Sequence, residues 1–430
     1  MRSLSASAGS ILTLVLSASI HGQSCVPDWL PTFESGDLHG PVRAFALFDF
    51  DAGGPNPTTL VALQAYASTT SDLDVDPANR RPVQRWTGRR WEPVGGPELE
   101  SVGAATVRGA LAVYDPDAEG PLPPALYAAS RSLRVTRDGR TSYGIARFDG
   151  AAWTHVSMGF TSGHVSILDL QVFDEDGPGP LAPALFAACD HLPAADGVHN
   201  LLRLRDDAWS TVGSTPLNAA VANLMVWDPD GAGSMPERLI AAGLFDHSAD
   251  SPPGPSYLAL WNGAQWEPIG AGQPGQPGPA LGLALFDPDG NGPATQELYV
   301  AAADNPIDGT PRGLLSWNGQ QWTHHGVVPE FVEFEGGQVN RGRMAVHDDD
   351  GPGPIRPALY VAGVPSVIST SARVSRWSGS DWSVPGHDPL APNQSGHRYP
   401  VVFSSGTKIE AFASFDLDGQ GPSTATLLMG

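Results

Sequence analysis

Cysteine and lysine are nearly missing from this chain. Two cysteines, Cys25 and Cys189, occur in 430 residues, which excludes a dense disulfide framework. One bond between them is allowed in an exported chain, but their separation reads more simply as two unpaired thiols, with Cys189 buried. Lys408 is the sole lysine among 24 basic residues, and with 46 acidic residues the formal net charge is −22. So acidic a surface repels a phosphate backbone, which argues against nucleic acid as a partner. Long apolar runs are missing as well. Residues 11–20 are mostly apolar but too short to cross a bilayer as a helix, which takes about 20 residues. Preceded by Arg2 and followed by small and polar residues, they read as an export signal over residues 1–22, cleaved near Gly22 and Gln23. Gly22 replaces the aliphatic residue that a lipoprotein signal carries three positions before its cysteine. The mature chain, residues 23–430, is therefore expected to be soluble and monomeric, and secreted to an extracellular or periplasmic location.

What is plentiful is glycine, proline and tryptophan, at 50, 41 and 12 residues. The glycines and prolines fall between regular apolar segments, so they mark tight turns and not disorder. One phrase recurs seven times, an apolar strand running into an Asp-rich turn. It reads Phe48-Asp-Phe-Asp51, Tyr114-Asp-Pro-Asp117, Phe173-Asp-Glu-Asp176, Trp227-Asp-Pro-Asp230, Phe286-Asp-Pro-Asp289, His347-Asp-Asp-Asp350 and Phe415-Asp-Leu-Asp418. Successive copies are 54 to 68 residues apart. A period of that length marks an array of supersecondary units. It overrides the two or three domains that length alone would imply.

The unit beginning near residue 281 shows the plan. Residues 281–286 form a first strand, and the turn at Asp287 uses Asp to accept local backbone bonds and Gly for unusual dihedrals. Residues 298–302 form an apolar second strand. Residues 314–317 form a third, Asn318-Gly319 is a hairpin signal, and Trp322 opens a fourth. The last two strands carry a fixed aromatic spacing: Trp86 with Trp91, Phe148 with Trp153, Leu204 with Trp209, Trp261 with Trp266, Trp317 with Trp322, and Trp377 with Trp382. A short hairpin loop sets the members of each pair opposite one another on one sheet face. A large apolar ring at the same place in every unit is core, packing one sheet on the next.

Four antiparallel strands per unit, stacked face to face, make the blades of a propeller, and seven copies predict an all-β, seven-bladed β-propeller forming a single domain. The two ends can complete one shared last blade. Residues 409–415 and 426–429 would supply two strands and residues 28–36 another, although neither end offers a clear third strand. The order Leu298-Tyr-Val-Ala, then Leu314-Leu-Ser-Trp317, then Trp322 resembles the Kelch and galactose-oxidase type of blade. The whole phrase also resembles secreted bacterial repeat proteins with Phe-Asp-Pro-Asp-Gly turns and Trp-Asn-Gly hairpins. The Kelch double glycine is mostly absent, with Ala301-Ala302 or Ala242-Gly243 in its place. The resemblance implies a fold and little about activity, since propellers carry enzymes, lectins and scaffolds alike.

Candidate sites are sparse. Asp287, Asp289 and Asn291 place three oxygen ligands at alternate positions, which suits calcium, and the motif resembles the calcium loops of integrin-type propeller repeats. The third position varies, however: only Glu119, Asn291 and Gln420 offer an oxygen-bearing side chain there. No acidic residue recurs where the integrin-type loop ends, so a turn capped by its own Asp is the simpler reading. Histidines form no recurring constellation, and no nucleophile elbow or phosphate-cradling loop appears. Loops after the second and fourth strands vary most and share one end of the molecule, where function tends to sit. Within one of them, residues 130–144, Arg131, Arg134, Arg137 and Arg140 make a local basic group that either is merely solvated or holds an acidic glycan or partner. These features predict a non-catalytic binding or scaffold module for a protein or polysaccharide. The alternative is a propeller-type hydrolase or oxidoreductase with its residues scattered over the variable loops.

Overall fold

The computed structural model describes Leu38 and most of residues 42–429. Outside the description lie 1–37, 39–41, 52, 55–57, 65–80, 103–107, 119, 159–165, 178, 195–196, 229–235, 246–256, 271–272, 291–295, 306–308, 329–342, 350–355, 364–372, 384–410, 416–425 and 430. The export signal, Cys25, residues 28–36 and Asn291 therefore fall beyond it.

Every described element is a strand, and the strands group into sheets in chain order. The first sheet holds β1 (Val42–Phe48), β2 (Thr59–Gln64), β3 (Val83–Trp86) and β4 (Trp91–Pro93). The second adds an extra strand: β5 (Leu99–Ser101), β6 (Gly109–Tyr114), β7 (Ala125–Arg137), β8 (Arg140–Phe148) and β9 (Trp153–His155). The third is β10 (Ile167–Phe173), β11 (Ala184–Ala194), β12 (Gly197–Arg205) and β13 (Ala208–Thr211), and the fourth β14 (Val221–Trp227), β15 (Arg238–Gly243), β16 (Leu258–Trp261) and β17 (Trp266–Pro268). The fifth is β18 (Ala280–Phe286), β19 (Glu297–Ala302), β20 (Gly313–Trp317) and β21 (Trp322–His324). The sixth is β22 (Arg343–His347), β23 (Ala358–Gly363), β24 (Arg373–Trp377) and β25 (Trp382–Ser383). Last come β26 (Phe412–Phe415) and β27 (Thr426–Met429), which pair with each other. All neighbouring strands are antiparallel, as short hairpin turns require.

The first strand of each blade lies beside the first strand of the next, in the order β1, β6, β10, β14, β18, β22, and β26 sits between β22 and β1. The core is a series of wedges between blades. Phe48, Val61 and Leu63 of the first blade pack with Leu126, Phe148 and Trp153 of the second. Leu283, Val300 and Trp317 of the fifth pack with Trp227 and Ile240 of the fourth. Both faces of every second strand are thereby covered, which is why these segments are apolar throughout instead of alternating.

The structure is a β-propeller with six four-stranded blades, and the expectation of seven is corrected. The seventh Asp phrase follows β26 in the chain, and β26 and β27 pair only with each other among the described residues. The Asp turn marks the first hairpin of a blade, whereas the aromatic pair marks the second, and there are six pairs. Each pair meets in register as the spacing predicts, from Trp86↔Trp91 to Trp377↔Trp382. Ring centroids of the Trp261–Trp266, Trp317–Trp322 and Trp377–Trp382 pairs are each 5.1 Å apart.

The tryptophans also latch neighbouring blades. Trp153 Nε1 donates to Val94 O at 2.8 Å, Trp261 Nε1 to Glu175 Oε1 at 2.9 Å, and Trp382 Nε1 to His325 O at 3.2 Å. Loops of the preceding blade come close to two of the fourth-strand tryptophans. A Cβ on Gly95 would lie 2.4 Å from Trp153 Cδ1, and one on Gly270 would lie 2.4 Å from Trp322 Nε1. Both glycines have positive φ, +75° and +65°, so glycine is needed there twice over.

Candidate functional site

Residues 130–144, expected as a variable loop, are instead strand. β7 and β8 continue past the blade as a hairpin that turns at Asp138 and Gly139, both with positive φ. The outer half of β7 pairs with β5, setting Leu99 opposite Val135. Leu99, Leu133 and Val135 are each 1% exposed and join the core between the first and second blades. The four arginines differ in role. Arg134 forms an ion pair with Glu100. Arg137 Nη1 donates to Trp153 O at 3.3 Å, and its Nε lies 3.8 Å from Asp138 Oδ2. Arg131 and Arg140 remain exposed.

The Asp turns use their carboxylates on their own backbone. The first Asp accepts from the N–H two residues on: Asp49 from Asp51 at 3.0 Å, Asp115 from Asp117 at 3.2 Å, and Asp287 from Asp289 at 3.1 Å. The second Asp reaches further along, so Asp117 Oδ2 accepts from Leu122 N at 3.1 Å and Asp176 Oδ2 from Leu181 N at 3.2 Å. Burial, and then the facing carboxylate of Asp289, raise Asp287 above the ordinary carboxylate range. Asp287 and Asp289 are thus brought together. Asn291, the third residue of the calcium reading, lies outside the described residues. Among the described residues no group of three or more His, Cys, Asp or Glu side chains is placed to hold a metal.

In three blades the residue after the first Asp of the turn meets the third strand of its own blade. In the first blade Arg85 lies over the Phe50 ring, 5.1 Å from its centroid. In the third, Arg203 and Arg205 reach Glu175 Oε2 at 2.7 and 3.0 Å. In the sixth, Arg376 Nε donates to Asp349 Oδ2 at 3.0 Å, and Tyr360 Oη donates to the other carboxylate oxygen. The Asp349 side chain is 8% exposed, so it is a buried charge made tolerable by a partly buried cation and a hydroxyl.

Beside this last network, at the end of the molecule that carries the Asp turns, a cleft of about 490 Å³ opens between the fifth and sixth blades. Pro288 and Gly379 meet at the contact between the blades. Gly379 has a φ of +98°, and a Cβ on it would lie 2.6 Å from Pro288 Cβ. Asp289 lines the cleft from the fifth blade, and Arg356, Arg376, Ser378 and Ser380 line it from the sixth. Arg356 is exposed and makes no ion pair among the described residues. Sequence reasoning passed over both arginines. Aligning the repeats against one another would have found them. Arg376 occupies the position of Arg85 and Arg203, whereas Arg356 stands where the second and third blades have Pro123 and Ala182. The first is part of the repeat chemistry, and the second is peculiar to one blade.

Among the described residues, several side chains of the kinds that do catalysis are tied into the frame. His155 Nδ1 is 2.8 Å from Ser142 Oγ, and His325 Nε2 is 2.8 Å from Ser316 Oγ while its ring stacks on Tyr299 at 5.3 Å. His347 Nδ1 is 3.0 Å from Ser414 Oγ, with Asp349 Oδ1 4.0 Å from its other nitrogen. The latter set has the residue types of a hydrolytic triad. The 4.0 Å gap is no hydrogen bond, Asp349 is already engaged by Arg376 and Tyr360, and the same Ser–His pairing serves a packing role in two other blades. Cys189 is a buried free thiol pushed up to about 12 by desolvation. Burial likewise pushes Tyr114 and Tyr299 up to about 12.

No family model and no curated protein matches the chain. Among solved structures, a chain in the crystal structure of BBS1N in complex with ARL6DN, soaked with lead, is similar at 13% identity and a TM-score of 0.44, with 91% of this chain and 90% of that one covered. A chain in the structure of SapL1 lectin in complex with alpha methyl fucoside is similar at 15% identity and a TM-score of 0.33, covering 83% of this chain and 99% of that one. Likeness at these scores carries no argument about function, and the propeller assignment rests on the sheets described above. No helix among the described residues is long and apolar enough to cross a membrane.

Proposed function

We propose that this chain is an exported, non-catalytic propeller of Kelch-like blades that binds a protein or polysaccharide partner, using the end of the ring that carries the Asp turns. The observation that carries the reading is the contrast within one frame. Among the described residues, His155, His325, His347, Tyr299 and Cys189 are spent on packing and internal bonds, while the cleft between the fifth and sixth blades presents an exposed arginine without an ion pair. A rigid ring with a polar, preformed cleft suits recognition, because little conformational entropy is lost on binding. The blade-two hairpin adds a second cationic surface through Arg131 and Arg140, at the opposite end. In this reading the Asp-turn end is the primary surface and the variable-loop end the alternative one.

The test is binding of residues 23–430 to a broad glycan array, in parallel with binding to Arg356→Gln and to a doubly substituted Arg131→Gln, Arg140→Gln chain. Saturable binding that only Arg356→Gln removes assigns recognition to the cleft. Binding that only the double variant removes moves it to the hairpin. Turnover of an array glycan would overturn the non-catalytic reading.

A further inference from the structure

The cleft's chemistry narrows the ligand. Its two cations differ in what they have left to give. Arg376 donates from Nε to Asp349, which also accepts from Tyr360, so Asp349 offsets the Arg376 charge. Arg356 is exposed and has no ion pair among the described residues, so it is the cation with an unmet charge. Guanidinium groups pair with carboxylates through parallel N–H donors, which makes the arginine side the natural seat of a carboxylate. Asp289, across the cleft, repels a carboxylate and accepts from hydroxyls. Ser378 and Ser380 add hydroxyl groups on the sixth-blade side, and Pro288 with Gly379 forms a small apolar contact surface between the two walls. A ligand that satisfies all of these carries one carboxylate, several hydroxyls and a C–H face. A volume of about 490 Å³ is within the range of small-ligand sites.

We propose that this cleft binds a uronate residue of an otherwise neutral glycan, with the carboxylate on Arg356 beside Arg376 and ring hydroxyls toward Asp289. The proposal rests on the reading of the chain as a binding module. The uronate must be isolated among neutral sugars or terminal. A net charge of −22 repels a polymer charged at every residue, whereas a single carboxylate within a Debye length of about 8 Å senses mainly the local arginines.

Calorimetry of residues 23–430 with glucuronosyl-xylotriose and with its carboxyl-reduced, neutral counterpart tests this. The acid is expected to bind at least tenfold more tightly than the reduced sugar, and Arg356→Gln is expected to abolish that preference with an unchanged Tm. Because Arg356 makes no ion pair among the described residues, the variant should fold as the parent does. Arg131→Gln should leave binding unaltered. Equal binding of acid and reduced sugar, binding that survives Arg356→Gln, or no binding of either would overturn the proposal. In each of those cases, binding of other glycans or of a protein would still support the module reading, so the two failures are distinguishable.

Discussion

At the scale of single residues, the aromatic spacing is the most informative part of the sequence, and the structure gives it two functions. Trp153 fills the wedge between the first and second blades with its ring and closes a blade-to-blade latch with its N–H. It is fully buried. Trp153→Ala is expected to cost about 3–5 kcal/mol, the range for a large core side chain, with Val94 O losing its partner as well. Trp153→Phe should recover much of the packing but not the latch. A denaturant midpoint for Trp153→Ala close to the parent's would show the wedge to be unimportant. Gly270→Ala should also destabilise, by more than the 1–2 kcal/mol of a left-handed alanine, because its Cβ meets Trp322. The histidines make a pH prediction. Desolvation lowers His325, and His324 adds to the effect; desolvation also lowers His347, opposed by Asp349 and Asp348 and aided by Arg376. Below the ordinary value of 6.5 the unfolded chain takes up protons that the folded one refuses. Stability is therefore complete above that value and falls as pH drops beneath it. Tm should decline between pH 7.5 and 5.5, and His325→Phe, which keeps the stack on Tyr299, should flatten the decline. A parent Tm flat across that interval would contradict neutral, buried histidines.

At the scale of elements, the hairpins were legible where turn chemistry and aromatic spacing agreed, as in Trp317-Asn-Gly to Trp322. The β7–β8 extension was missed although its signals were present. Asp138-Gly139 is a two-residue hairpin turn, and Leu133 and Val135 alternate with Arg134 and Thr136. Arginine density drew attention from that alternation to the charge. The cleft was missed for another reason: its lining comes from two blades, and only the ring brings Asp289 near Arg356. Within the extension, burial predicts a clear contrast. Leu133→Ala is expected to cost about 2–4 kcal/mol, while Arg131→Ala at an exposed strand position should change stability by no more than about 0.5 kcal/mol. Equal effects in urea unfolding would mean that the hairpin stands free of the core.

At the scale of the whole molecule, repeat counting overshot because the two signals of a blade are separable. The Asp phrase accompanies only the first strand pair of a blade, and among the described residues β26 and β27 have no aromatic hairpin paired with them. They still have packing on both sides: Ala411 and Ala413 join Val42, Leu60 and Trp91 of the first blade, and Leu427 joins Tyr360 and Val374 of the sixth. The ring is thus closed by its thinnest member. In a repeat array, stability is approximately the sum of each unit and its two interfaces, so a unit with half the strands among the described residues and smaller wedges is the weakest link, and opening starts there. Hydrogen exchange should find the amides of Phe412–Phe415 and Thr426–Met429 exchanging well ahead of those of β15 and β19, which are flanked by paired strands on both sides. Denaturant at concentrations below the main transition should widen the difference before any other blade responds. Uniform protection around the ring would mean that β26 and β27 are as well supported as a full blade.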